Sequence, residues 1–118
     1  MFYTVGEIAE LLNIPPSTIR YYDRKGLLPF VSRSKGGIRQ FSEDDRRRME
    51  NILLLRRFGL SIQEIEQYVR LEEQGPSTAS GRHAILKRRK DALENEIKDL
   101  TDTLALLKKS CSCFHEQQ

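Results

Sequence analysis

The sequence predicts a mainly α chain: a winged helix-turn-helix followed by a long helix built to pair with a second copy. Three observations predict it. Two short amphipathic segments, each with its own start signal, are separated by a tight turn. Turn residues and a short apolar–polar alternation follow them. The last part of the chain repeats leucine every seven residues, with no proline inside the repeat.

Each element can be justified in order. Thr4-Val5-Gly6-Glu7 places a hydroxyl and a carboxylate at capping-box spacing, and Ile8, Leu11 and Leu12 follow at helical spacing. Asn13 ends this helix. Pro15-Pro16 restarts the chain, because a proline at the first helical position forfeits no hydrogen bond. The second helix runs to about Lys25, where Gly26 can supply a left-handed cap. Leu27-Leu28-Pro29-Phe30-Val31 reads as extended, since a residue before proline is pushed out of the helical region. Lys35-Gly36-Gly37 is a turn, and Ile38-Arg39-Gln40-Phe41 alternates, so a small hairpin is expected with Arg33, Lys35 and Arg39 at or near its tip. Ser42-x-x-Asp45 opens a helix with Met49, Ile52, Leu53 and Leu55 inward, ending at Gly59. Ser61-x-x-Glu64 opens another, with Ile62, Ile65, Tyr68, Val69 and Leu71 inward. Gly75-Pro76 then breaks the chain.

From about Ala79 to Ser110, Leu86, Leu93, Leu100 and Leu107 form one seam position of a heptad, and His83, Lys90, Ile97, Leu104 and Cys111 form the other. Such a helix spans ~48 Å and carries a narrow apolar stripe. A second copy is the expected cover, with Leu86, Leu93, Ile97, Leu100, Leu104 and Leu107 at the interface. The charges beside the seam do not fix its direction. The expected organisation is therefore 1–74 for the winged domain, 77–110 for the dimerisation helix and 111–118 for a cysteine-containing tail.

Composition excludes several classes. The chain has 118 residues, 20 Lys+Arg against 17 Asp+Glu, and 38% apolar residues. It is long enough for one core, and its longest apolar runs fall short of the ~20 residues of a membrane span. The N-terminus lacks the pattern of a signal peptide. Two neighbouring cysteines cannot staple a fold, so a reducing cytoplasm is the expected location. The charge is uneven. Met1–Leu60 holds 11 basic and 7 acidic side chains, whereas Ser61–Gln118 holds 9 and 10. Within Ser17–Arg39, Arg20, Arg24, Lys25, Arg33, Lys35 and Arg39 face only Asp23. This stripe suits a polyanion, although a charge run alone also suits a solvated face.

Three ordered motifs carry a family resemblance. Thr18-Ile19-Arg20-Tyr21-Tyr22-Asp23-x-x-Gly26-Leu27-Leu28, Arg33-x-x-x-Gly37-Ile38-Arg39-x-Phe41-Ser42 and Gly59-Leu60-Ser61-Ile62-x-Glu64-Ile65 together resemble the MerR family of transcriptional regulators. The resemblance covers residues 3–73 closely and the remainder by pattern. It implies a cytoplasmic homodimer with antiparallel dimer helices, bound to a pseudo-palindromic promoter. Double-stranded DNA and RNA polymerase holoenzyme are the implied partners. Family members bend and untwist an overlong promoter spacer, a form of recognition through DNA deformability.

Carried onto this chain, the second helix would enter the major groove with Ser17, Thr18, Arg20 and Tyr21 in its leading turns. Arg20 can bridge two guanine acceptors, hold a phosphate, or pair with Asp23. One tyrosine of the Tyr21–Tyr22 pair belongs to the core. Arg33 and Arg39 match wing positions that grip phosphates, with Lys35 beside them, and Arg56 matches a backbone-contacting arginine. Arg46, Arg47 and Arg48 are consecutive and cannot share one helix face. Two departures stand out: Pro15 replaces a capping Ser or Thr, and Ile38 replaces a wing tyrosine whose phosphate contact is thereby lost.

The effector is less legible. Cys111-Ser112-Cys113-Phe114-His115 falls where metal-sensing members carry ligands, and thiolate and imidazole suit zinc or copper(I). Cys111, Cys113, His115 and His83 of a second copy form the candidate set. Against it, the downstream loop with a further cysteine is missing, and Cys111 and Phe114 also continue the heptad seam. Thiol redox sensing, or no sensor in the tail, are the other readings. Aldehyde-sensing members carry cysteine where Leu54 stands. An enzyme is not expected: two histidines form no plausible triad, and Gly36-Gly37 sits in a wing turn rather than a phosphate loop. The alternatives are a small architectural DNA-bending protein resembling excisionases, which seldom have a long dimer helix, and a coiled-coil module without DNA.

Overall fold

In the computed structural model, which describes residues 1–116 and side chains as far as Phe114, the chain forms two compact units, Met1–Arg82 and His83 onward. The first unit holds the core. Helix α1 (Val5–Leu12) opens with the expected box: Glu7 N–H donates to Thr4 Oγ1 at 3.1 Å, and Thr4 N–H donates to Glu7 Oε1 at 2.9 Å. Asn13 ends it in the left-handed region at φ 55°. Helix α2 (Pro16–Arg24) starts without a side-chain cap, as Pro15 predicts. Gly26 follows at φ 76°, where an added Cβ would be strained by the backbone and not by its neighbours.

Leu27–Val31 departs from the extended reading. Val31 N–H donates to the Leu28 carbonyl at 3.3 Å, closing a turn with Pro29 at its second position. Proline presets φ for that position, so the turn wins over a straight run. Leu27 and Leu28 are thereby buried. The wing is a two-stranded antiparallel ribbon, β1 (Ser32–Arg33) with β2 (Arg39–Gln40), in the register Ser32 to Gln40 and Arg33 to Arg39. Tyr3 adds one bridge to Phe41, with backbone bonds of 2.7 and 2.9 Å.

Helix α3 (Glu43–Arg57) and helix α4 (Ile62–Glu73) each begin with a complete capping box, at Ser42–Asp45 and Ser61–Glu64. Their inward positions, Met49, Ile52 and Leu55 with Ile65, Tyr68 and Val69, join Ile8, Ile19, Tyr22, Leu27, Leu28, Phe41 and Leu60 in the buried set. Helical spacing identified these six, while Leu53, Ile62 and Leu71, also expected inward, are half-buried; full burial contributes roughly 1.5–3 kcal/mol per large side chain. A short 3-10 turn, Pro76–Thr78, follows α4, and Thr78 Oγ1 donates to the Leu71 carbonyl at 2.6 Å.

The second unit lies within α5 (Ala79–Glu116), a helix of 38 residues. It begins close to the expected start but continues past Ser110. Residues 111–116, expected as a separate tail, extend it, because no proline or glycine after Gly81 interrupts the hydrogen-bond ladder. Ile85 is buried and Leu86 half-buried, a burial that the leucine heptad did not anticipate. Leu93, Ile97, Leu100, Leu104 and Leu107 are exposed. Lys87 and Asp91 pair at 2.9 Å; the hydrogen bond between them, and then their opposite charges, raise the lysine pKa and lower that of the aspartate. No helix among the described residues is long and apolar enough to cross a membrane.

Candidate nucleic-acid interface

Pro15-Pro16 sets where α2 begins, and thereby where its exposed side chains fall. Ile19 and Tyr22 point inward and are buried, which leaves Ser17, Arg20, Tyr21 and Arg24 on the outer surface with Thr18 at its edge. Tyr22 is thus the core tyrosine, and Tyr21 remains 38% exposed. Lys25 Nζ lies 5.7 Å from the Tyr21 ring centroid, which fixes that ring on the surface. Ser17, Thr18, Tyr21 and Tyr22 line an open cleft of about 300 Å³, closed on its far side by Arg56 of α3 and Ile62 of α4. Four of the residues singled out in the sequence therefore meet at one place, Ser17, Thr18, Tyr21 and Arg56. Arg56 Nη1 donates to the Leu60 carbonyl at 3.3 Å, which anchors one side of the guanidinium and leaves the rest available.

The cations divide into free and engaged. Arg20 is exposed and has no ion-pair or hydrogen-bond partner among the described residues. The alternative pairing with Asp23 is excluded, because Asp23 is taken by another arginine. Lys35 is exposed in the wing turn, where Gly37 at φ 80° allows the reversal. Arg33 is exposed, with one nitrogen donating to the Gly37 carbonyl at 2.8 Å. Arg39 lies beside the wing turn, opposite Arg33, as expected, but its head is engaged: its Nε and Nη2 donate to the two oxygens of Asp23 at 3.1 and 2.6 Å, and its Nη1 donates to the Val31 carbonyl at 2.5 Å. Its carboxylate partner is 16 residues away on α2, which composition and spacing could not reveal. The arginine run is likewise engaged. Arg46 pairs with Glu43 and Glu50, Arg47 with Asp44, and Arg48 with Glu73. Arg48 also lies over Phe30, 5.0 Å from the ring centroid.

The candidate metal residues are not gathered within the chain. Cys111 and Cys113 are exposed free thiols two residues apart on α5, a spacing that points them to different sides of a helix. His83 is exposed near the other end of the same helix, some ~42 Å away by helical rise. The His115 side chain lies outside the described residues. Among those described, no group of three or more His, Cys, Asp or Glu is placed to hold a metal ion.

With this geometry in view, comparison with known proteins is decisive. Residues 3–72 match the MerR helix-turn-helix family of regulatory proteins, and residues 46–109 match the MerR DNA-binding family. The chain belongs to the MerR family. Members of this family are DNA-binding transcriptional regulators and not enzymes. The regulator AdhR of Bacillus subtilis is 37% identical over 82 residues, 70% of this chain and 59% of its own length, so the chain spans under two thirds of that relative. A MerR-family regulator from Bacillus thuringiensis is 33% identical, with a TM-score of 0.74 over 95% of this chain and 98% of its own. HiNmlR, a MerR-family regulator lacking the sensor domain and solved bound to promoter DNA, is 28% identical with a TM-score of 0.75, over 98% and 92% of the two chains.

Proposed function

We propose that this MerR-family chain acts as a homodimer that reads a promoter with α2 and grips its backbone with the wing. The observation that carries the reading is the free, exposed Arg20 beside the Ser17–Thr18–Tyr21–Arg56 cleft, at the leading end of a helix with the helix-turn-helix setting. Arg20 meets base edges, where a bidentate contact to guanine discriminates most strongly. Arg33 and Lys35 hold phosphates, and Arg56 approaches the backbone from α3. The exposed seam of α5, Leu93 to Leu107, is covered by the same seam of a second copy in antiparallel sense. Two α2 helices then address two half-sites, and bending and untwisting of the intervening spacer follows as in the family. RNA polymerase holoenzyme is the partner that responds to that deformation, and the cytoplasm is the setting. The length of α5 favours this regulator over an excisionase-like bending protein.

A zinc or copper(I) site at Cys111, Cys113, His115 and His83 of a second copy is not part of this reading, since the helical spacing of the two thiols opposes a shared ion. The test is selection of duplexes from a random-sequence pool by the full chain, with sedimentation of the free protein and the complex. Enrichment of a two-fold symmetric sequence bound by two chains is expected. Enrichment of no sequence, or binding by a single chain, would overturn the proposal.

A further inference from the structure

We propose that Arg39 and Asp23 act as a positioning pair that fixes the wing against α2, and that Arg39 is not itself a phosphate contact. The inference rests on the DNA-binding reading above. Three observations carry it. All three nitrogens of the Arg39 guanidinium are engaged, two by the Asp23 carboxylate in a fork and one by the Val31 carbonyl at the root of the wing. A fork of this kind fixes orientation as well as distance. Both side chains are three-quarters shielded, at 23% and 24% exposure, unlike the exposed Arg33 and Lys35. Finally, Asp23 sits in the last turn of α2, where the negative end of the helix dipole disfavours a carboxylate. Helix stability alone gives no reason for an acid there, and a lone acid in the basic stretch Ser17–Arg39 would repel DNA. Pairing removes both penalties and makes the angle between α2 and the wing a fixed quantity. That angle decides whether base contacts and phosphate contacts can be made at once.

Charge and position make opposite predictions for Asp23→Asn. The substitution removes a negative charge from the DNA-facing half, so charge alone predicts tighter binding to every duplex. The positioning role predicts equal or tighter binding to random duplex but about tenfold weaker binding to a duplex selected by the wild-type chain, so that preference falls. For Arg39, the slope of log affinity against log salt separates the roles. Arg39→Gln and Arg39→Lys should both weaken binding to the selected duplex about tenfold with the slope unchanged, since lysine cannot form the fork. A phosphate contact instead predicts that Arg39→Gln lowers the slope by about 0.9 and that Arg39→Lys restores affinity.

Fluorescence anisotropy with the two duplexes, on full-length variants whose helical circular dichroism matches wild type, reads all of these. If Arg39→Gln does not fold, Asp23→Asn and Arg39→Lys still decide. Unchanged preference in Asp23→Asn, or rescue by Arg39→Lys, overturns the pair alone. A wild-type chain with no salt-dependent binding to either duplex overturns the regulator reading, and the pair with it.

Discussion

The two units of the chain treat leucine in opposite ways. In Met1–Arg82, Leu27, Leu28, Leu55 and Leu60 are essentially removed from solvent, alongside Ile8, Ile19, Phe41, Met49, Ile52 and Ile65. From His83 onward, Ile85 alone among the described residues is buried, while Leu100 is 69% exposed and Leu107 58%. Both units are helical and both carry periodic apolar residues. The difference is that the first has several elements to wrap around one core, whereas a single helix cannot cover its own stripe. The first unit is self-sufficient; the second states its need for another surface. The basic side chains divide in a comparable way. Arg39, Arg46, Arg47 and Arg48 are engaged within the first unit, and Arg20 is left free.

The largest expected effect breaks the second unit. Leu100→Asp places a charge into the seam of both copies and forfeits roughly 1.5–3 kcal/mol of burial in each. Sedimentation at micromolar concentration should give monomers, with loss of operator binding. A variant that remains dimeric would show that the α5 seam does not hold the copies together. Next, Phe41→Ala empties the junction of Tyr3, the wing and the core, and should cost about 3–5 kcal/mol in denaturant unfolding. A cost below about 1 kcal/mol would show that the first unit is less self-contained than its burial implies.

A smaller effect sharpens the division among cations. Arg20→Ala should cost about 1–3 kcal/mol on the selected duplex and relax preference at one position per half-site. Arg33→Ala should weaken binding to all sequences by a similar factor and lower the salt slope by about 0.9. Equal losses on selected and random duplex for Arg20→Ala would move it from the base-reading set to the backbone set.

The sequence made most of the fold legible because its signals were local. Capping boxes at Thr4, Ser42 and Ser61, Asn13 as a stop and the inward positions of α3 and α4 each depend on residues a few positions apart. The cleft was legible as a set of residues, and its closure by Ile62 was not, since α4 reaches α2 only through the tertiary fold. The role of Arg39 was hidden for the same reason: its partner is 16 residues away, on a different element. The turn at Pro29 is not legible locally, since proline's restriction on its predecessor favours an extended run while its own preset φ favours a turn. At the start of α5, the heptad drew attention to Leu86, whereas Ile85 is the buried position.

The smallest expected effect lies at the end of α5. Cys111 and Cys113 project to different sides of one helix, so replacing both with serine removes no shared contact within the chain. Cys111→Ser with Cys113→Ser should therefore leave the sedimentation mass and the affinity for the selected duplex within about twofold of wild type, a difference of roughly 0.4 kcal/mol. The metal content of the reduced wild-type chain sharpens the point. Zinc binds through deprotonated thiolates, and its uptake would have to bring both sulfurs to about 2.3 Å from one ion, unwinding the last turns of α5. Less than one zinc per chain at micromolar free metal is expected, with no change in helical circular dichroism. One zinc per chain, lost in the double variant and accompanied by reduced helicity, would instead make the end of α5 a metal-dependent switch. It would also mean that the unpartnered unit is completed by an ion as well as by a second copy.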